Sequence, residues 1–343
     1  MTHRLGLIGI GSVADTHARG VAPLDGVSLV AASCRTRSRG EAFAGTYDCA
    51  WYADYERMLA DADLDAVLVC TPSGAHLDPV RAAADAGVHV LCEKPLEITT
   101  ARVDEMIAAC EDAGVRLGGV FQNRYRPTVR ALHEAAASGR FGPLAAVNAY
   151  VPSWRDDDYY RGSWHGTRDL DGGGALINQT IHSVDVAQWI AGAAAGVDPS
   201  VNPVASVFAE TARRAHDGSD VEVEDTAVLT LRYRDGTLGQ VFAATSAYPG
   251  MDRRIQVGGR DGSAELVEGE RETWSFREDG AGDAVASDDV SEYGRNVEAF
   301  CDAVAGGDPY ELDAREARKA VEIVEAAYES AASGERVELD ASE

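Results

Sequence analysis

Leu5-Gly6-Leu7-Ile8-Gly9-Ile10-Gly11-Ser12-Val13-Ala14 is the stretch that decides the fold. An apolar run without polar alternation suits a strand covered on both faces, and this one passes through two glycines directly into a helical pattern. In a dinucleotide-binding fold the first glycine makes the tight turn and the second lets backbone approach the pyrophosphate. Ala14 lets helix and strand pack closely, and the helix N-terminus offers backbone donors to the anion. Such a turn can also be merely structural, but here a strand precedes it and a helix follows. Gly9, Gly11, Ser12 and Val13 are therefore expected to hold a dinucleotide.

Outward from that turn the alternation continues. Apolar runs at Leu5 to Ile10, Val27 to Ala32, Ala66 to Cys70, Val88 to Cys92 and Val115 to Val120 are separated by helical stretches at 13–22, 39–44, 55–60, 76–86 and 100–113. This is an α/β pattern, a Rossmann domain with a doubly wound parallel sheet, expected over residues 1–122. Beyond Phe121 helices are expected at 127–138 and 175–190, a strand at 144–151, and period-2 strands at 204–209, 227–233, 238–244, 254–257 and 263–267. Asp235-Gly236 suits the φ > 0 positions of a tight hairpin turn. Residues 123–343 are expected to form an α+β domain, a mostly antiparallel open sheet with helices on one face, closed by helices at 292–305 and 314–332. Substrate binding and homo-oligomer contacts, dimer or tetramer, are expected there.

Charge narrows the classes of partner. The 343 residues carry 57 acidic and 31 basic side chains, a formal net charge of -26, and 45% are hydrophobic, enough for two cored domains. So acidic a surface repels nucleic acid and anionic membrane, and neither is expected as a partner. The acid is dispersed, as at Asp156-Asp157-Asp158, and reads as solvated surface. Among the basic residues two, Lys94 and Lys319, are lysines. Lysine depletion with excess acid resembles the proteins of salt-loving (halophilic) organisms, where molar salt cuts the Debye length to about 3 Å and screens the repulsion. Six cysteines without a C-x-x-C pair read as thiols in a reducing compartment, and no H-x-x-x-H cluster suggests a metal. A strand pattern beginning by Leu5 leaves no room for a signal peptide, and no apolar stretch reaches the roughly 18 residues of a membrane span, so a cytoplasmic location is expected.

The end of the second strand bears on the choice between NAD and NADP. An NAD site usually places an acid there for the ribose 2′-hydroxyl, yet none occurs between Gly26 and Gly40. Ser33, Arg35 and Arg37 offer hydroxyl and guanidinium donors suited to a 2′-phosphate, so NADP is favoured with NAD still open. Arginines that merely balance an acidic surface are the competing account.

Val90-Leu91-Cys92-Glu93-Lys94-Pro95 ends the fourth apolar run, on the side where doubly wound sheets bind ligands. Where nearly every lysine has become arginine, a surviving one does something arginine cannot, such as shifting its pKa or presenting a compact ammonium. A chance surface lysine describes Lys319 better than Lys94. Glu-Lys-Pro after a strand, preceded by Thr71-Pro72, His76 and Ala86-Gly87 and followed by Arg124-Tyr125-Arg126-Pro127 and Gly172-Gly173-Gly174, resembles the glucose-fructose oxidoreductase/inositol dehydrogenase (Gfo/Idh/MocA) family over nearly the whole chain. The resemblance implies hydride transfer between a sugar-like carbon and a nicotinamide, cofactor contacts from Thr71, Pro72, His76, Glu93 and Lys94, and substrate contacts from Lys94 and Arg124.

Asn178, His182 and Asp185 stand at i, i+4 and i+7 and would share one face of a regular helix. A neutral imidazole is the natural acceptor for a hydroxyl proton, so His182 is the candidate base, with Lys94 polarising the same oxygen. Many members of the family have Asp where this chain has Asn178, which can hydrogen-bond a hydroxyl but not share a proton. The loop from Trp154 to Asp171 holds Tyr159, Tyr160, Arg161, Trp164 and His165, ring faces and donors suited to sugars or to subunit contacts; Trp164 and His165 are counted with Asn178 and His182 as substrate-binding candidates. His3, His17, His89, His133 and His216 read as surface or packing residues. An NAD(P)-dependent sugar or polyol oxidoreductase is the leading reading. A non-catalytic NAD(P)/sugar sensor is the alternative, opposed by the joint retention of Lys94 and His182; reduction of an imine or a linear tetrapyrrole would not need that pair.

Overall fold

The computed structural model describes residues 2–216, 220–268, 272–277 and 291–340. By its internal contacts the chain divides into two units, Met1–Tyr125 with Asp288–Arg318, and Arg126–Ser287 with Lys319–Glu343.

The first unit holds a parallel sheet of six strands, β1 (His3–Ile8), β2 (Val27–Ser33), β3 (Ala50–Tyr52), β4 (Ala66–Val69), β5 (His89–Cys92) and β6 (Leu117–Gly119), in the order β3-β2-β1-β4-β5-β6. Its crossovers are α1 (Ser12–Val21), α2 (Arg37–Tyr47), α3 (Tyr55–Asp61), α4 (Leu77–Asp85) and α5 (Thr100–Ala113). All of β4 is buried, which is why its sequence shows no alternation. Strand order reverses between β1 and β4, and ligands of open α/β sheets bind at the carboxyl ends beside such a reversal. β3, unread from sequence, is a three-residue edge strand too short to show a period.

The second unit contains α6 (Pro127–Ala137), β7 (Leu144–Pro152), α7 (Asp157–Tyr160), α8 (Ile181–Ala195), β8 (Val204–Ala212), β9 (Thr226–Tyr233), β10 (Leu238–Ala244), β11 (Arg253–Gly259), β12 (Ser263–Glu268) and β13 (Glu272–Arg277). After α9 (Glu292–Gly306), α10 (Ala314–Ser333) and β14 (Val337–Glu338) complete the elements of the described residues. The sheet runs β13-β12-β11-β7-β10-β9-β8-β14, antiparallel except where β7 and β10 pair in parallel. In β9, Ala227, Leu229, Leu231 and Tyr233 are buried while Val228, Thr230 and Arg232 are exposed, so one face meets the helices and the other is open. At the β9–β10 hairpin Gly236 adopts φ 94° and Thr237 Oγ1 donates to Asp235 Oδ2 at 2.8 Å. The α/β plus α+β architecture read from sequence is the one observed.

One closing helix lies elsewhere than expected. α9 packs on α1 in the first unit, where two glycines let backbones approach: a Cβ on Gly20 would stand 2.9 Å from the Gly294 nitrogen. Among the described residues no helix is long and apolar enough to cross a membrane.

Candidate active site

In the first unit the glycine turn has the geometry a dinucleotide needs. Gly9 sits at φ 97°, and a Cβ there would come within 2.7 Å of the Cys70 carbonyl oxygen, so the chain itself demands glycine. Gly11 differs: a Cβ would meet no protein atom within 4 Å, so packing within the chain does not require glycine. Gly11 caps α1 without a side-chain hydrogen bond, and the first helical amides, those of Ser12 and Val13, have no intrahelical acceptor. An open approach to uncapped donors fits a pyrophosphate.

At the end of β2, Ser33 is buried and its carbonyl accepts from Gly9 N at 2.9 Å. The arginines beyond it have different employments. Arg37 pairs with Glu41 at 2.8 Å and lies 6.0 Å from the Trp51 ring centre. Arg39, not singled out from sequence, donates to the Ile10 carbonyl at 3.4 Å inside the glycine turn. Arg35 is exposed and has no partner among the described residues.

The loop after β5 is fixed from two sides. His76, buried, faces the carbonyls of Pro95 and Leu96 with Nδ1 (3.0 Å each) and that of Thr71 with Nε2 (2.8 Å), while Thr71 Oγ1 donates to Ala75 O. Both ring nitrogens are thus spent on backbone, and His76 joins the Thr71-Pro72 loop to the Lys94-Pro95 loop. On the other side Glu93 takes His17 Nε2 on one oxygen at 2.7 Å and the Lys94 amide on the other at 2.9 Å. Burial would push Glu93 up, but the His17 hydrogen bond and charge, with Lys94, outweigh it and hold the carboxyl below its usual range. His17 is therefore more than a packing residue. The i, i+76 separation gave no local signal of it. Lys94 stays partly exposed.

Two other basic residues are buried. Arg124, expected at substrate, is fully buried and paired with Glu316 at 2.8 Å. Lys319 is no surface lysine: it is 7% exposed and its Nζ donates to the Pro199 carbonyl at 2.6 Å.

In the second unit the segment 175–180 is a π-helical turn leading into α8, so the regular helix assumed for residues 178–185 begins only at Ile181. π turns often occur at functional sites. His182 is partly exposed, Asn178 nearly buried, and Asp185 fully buried in the core. Asn178 Nδ2 donates to Asp171 Oδ1 at 2.5 Å and approaches His165 Nδ1 at 3.5 Å; its Oδ1 accepts from Gln179 Nε2 at 2.7 Å. Tyr159 stacks on His165 (4.5 Å between centres, 1° between planes) and Trp164 leans on the same ring at 4.0 Å. Burial first, then the Asp171 charge, push the Tyr159 hydroxyl well up, so it remains a neutral donor. Asn178, His165 and Trp164 are thus brought together, and Asp171 and Gln179, which sequence reasoning missed, fix the amide between them. An acid seven residues before Asn178, at the edge of the Gly172-Gly173-Gly174 turn, was the available signal. Among the described residues no cluster could hold a metal.

A glycine turn at an uncapped helix, with a lysine beyond a neighbouring parallel strand and a second unit of open sheet, defines a dinucleotide-dependent oxidoreductase. The chain belongs to the Gfo/Idh/MocA oxidoreductase family: residues 3–120 match its NAD-binding Rossmann fold and residues 129–265 its C-terminal domain. It is 33% identical to the myo-inositol 2-dehydrogenase of Thermotoga maritima over 82% of this chain and 79% of that one. It is also 33% identical to D-xylose 1-dehydrogenase (NADP(+)) 2 of Haloferax volcanii, covering 84% and 85%. The WlbA dehydrogenase of Bordetella pertussis, solved with NADH and UDP-GlcNAcA, superposes with a TM-score of 0.86 at 30% identity, covering 99% of both chains.

Proposed function

We propose that this chain passes a hydride between a hydroxyl-bearing carbon of a sugar, polyol or sugar derivative and a nicotinamide. The observation that carries the proposal is the uncapped α1 N-terminus at a glycine whose open side the protein leaves unfilled. The nicotinamide supplies the hydride chemistry. The amides of Gly11, Ser12 and Val13 hold the pyrophosphate, and Thr71, Pro72 and Glu93 line its path, Glu93 also fixing the Lys94 backbone. Lys94 presents its ammonium to the substrate oxygen and His182 takes the hydroxyl proton, while Asn178, Trp164 and His165 hold the ring. The named relatives act on polyol and sugar substrates, which supports this class and lends nothing to the sensor. Nicotinamide reduction by the purified chain with a panel of aldoses, inositols and nucleotide sugars tests it; no turnover with any of them would refute it.

Three finer assignments belong to the same proposal. Residues 1–122 bind the cofactor and 123–343 the substrate. NADP is the preferred cofactor, through Ser33 and the unpartnered Arg35 rather than Arg37. The chain works in a saline cytoplasm as a homo-oligomer joined through the open sheet face.

A further inference from the structure

Three consecutive amides at the start of the segment carrying Asn178 and His182 converge on one residue. Glu224 takes the Gly174 N–H on Oε2 at 2.9 Å, the Ala175 N–H on its backbone carbonyl at 3.1 Å, and the Leu176 N–H on Oε1 at 3.0 Å. Tyr328 of α10 donates its hydroxyl to the same Oε1 at 3.0 Å. The first amides of a helix have no intrahelical acceptor, and no side chain of the segment itself caps this one. The fit leaves no slack: a Cβ on Gly174 would overlap the Glu224 carbonyl oxygen, and one on Gly173 the Tyr328 hydroxyl.

We propose that Glu224 and Tyr328 are positioning residues for the substrate half of the site, a clamp that grips the 174–182 segment while Glu224 is ionised and slackens when it takes a proton. The clamp matters for turnover only through the dehydrogenase reading, in which Asn178 and His182 touch substrate. A carboxylate accepts on both oxygens; protonated, it turns a donor toward donors and one contact is lost. Loss of water around the carboxyl group pushes Glu224 up to about 7, against the pull of the Leu176 amide, the Tyr328 hydroxyl and the Gly174 amide. The grip therefore changes near neutrality.

The groups around the clamp have partners of their own. Burial pushes the Tyr328 hydroxyl well up, so it stays a donor. Glu222 is spent on the Arg168 amide, and Asp225 on the Arg214, Ala215 and His216 amides and the His216 ring. The π-helical turn brings Asn178 and Gln179, which do not titrate, and Asp171 is held by Gly166 N and Asn178. Among the described residues Glu224 has no cationic partner.

The test pairs the pH dependence of kcat with amide spectra of the ¹⁵N-labelled full chain, for the wild type, Glu224→Gln, Glu224→Asp and Tyr328→Phe. The wild-type Gly174 and Leu176 amide signals should titrate with a midpoint near 7, and kcat should fall as pH drops through it. Glu224→Gln should abolish the amide titration and lower kcat about tenfold or more, as a displaced catalytic segment does, with cofactor KM unchanged. Glu224→Asp should restore part of both. Tyr328→Phe, which removes a donor to the carboxylate, should move the amide midpoint upward, and it serves if Glu224→Gln fails to fold. A wild-type amide titration without that midpoint, or a midpoint unmoved in Tyr328→Phe, would overturn the clamp. If no sugar is turned over, the dehydrogenase reading falls alone, because the amide titration still decides the clamp.

Discussion

A 2′-phosphate brings roughly two negative charges to the end of β2, where the chain offers no acid between Gly26 and Gly40. The arginines there are not equivalent once their partners are known. Arg37 is held by Glu41 and Arg39 by the Ile10 carbonyl, leaving Arg35 as the guanidinium with nothing to release before it meets a phosphate. Charge-assisted hydrogen bonds are worth about 1.5–3 kcal/mol, so Arg35→Ala is expected to lower kcat/KM with NADP by roughly ten- to a hundredfold and leave NAD turnover nearly unchanged. Steady-state kinetics with both cofactors check it, and equal use of NAD by the unmutated chain would return Arg35 to the surface. At the reacting end, Lys94→Ala and His182→Ala should each lower kcat by about 10² or more, the range of a general acid–base step, with cofactor affinity little changed. Asn178→Ala should act mainly on substrate KM, because its amide is already fixed by Asp171 and Gln179 and positions a hydroxyl without taking a proton. A kcat loss in Asn178→Ala as large as that of His182→Ala would put it in the proton path.

At the scale of elements, the loop bearing Lys94 is held to α1 by the buried His17–Glu93 pair. Removing the imidazole leaves a buried carboxylate without its partner, a loss of about 3–5 kcal/mol, so His17→Ala should melt lower at neutral pH. Glu93 has its folded pKa depressed, so its contribution is full above the unfolded value of about 4.3 and disappears as pH falls through the lower folded value. The gap in melting temperature between wild type and His17→Ala should therefore narrow below pH about 4; a gap constant down to acid pH would contradict the pair. This pair also shows where the sequence stopped being legible. Strands β1, β2, β4, β5 and β6 and the hairpin at Asp235-Gly236 announce themselves through local period and turn chemistry, as does the glycine turn. The His17–Glu93 contact joins residues 76 apart, Glu224 caps a segment 50 residues before it, and α9 finds α1 through two glycines, none of which leaves a periodic trace. The π-helical turn at 175–180 was hidden for a related reason: its apolar pattern is also that of an α-helix.

For the whole molecule the governing quantity is the net charge of -26, and the open face of the second unit's sheet stands apart from it. Cross-strand register lays Glu210, Val228, Phe242, Tyr150 and Arg254 in one row, and Phe208, Thr230, Gln240, Asn148, Gln256 and Glu265 in the next. With Arg232 of β9, the charges of this face cancel in a chain that is elsewhere strongly acidic, and Val228 and Leu238 leave 41% and 49% of their surface exposed on it. Two copies meeting there would bring neutral, partly aromatic surfaces together, while the net charge of -26 on each chain opposes the approach. Salt removes that opposition, because the Debye length falls from about 10 Å at 0.1 M to about 3 Å at 1 M, so association and folding should strengthen together. The melting temperature is expected to rise between dilute buffer and molar salt, and light scattering should show a larger particle at the higher salt. Val228→Asp, placing a charge in that row, should leave the particle at monomer size in molar salt without disturbing the buried alternate residues of β9. A melting temperature flat across that range would remove the repulsion argument, and an oligomer that survives Val228→Asp would move the contact to another face.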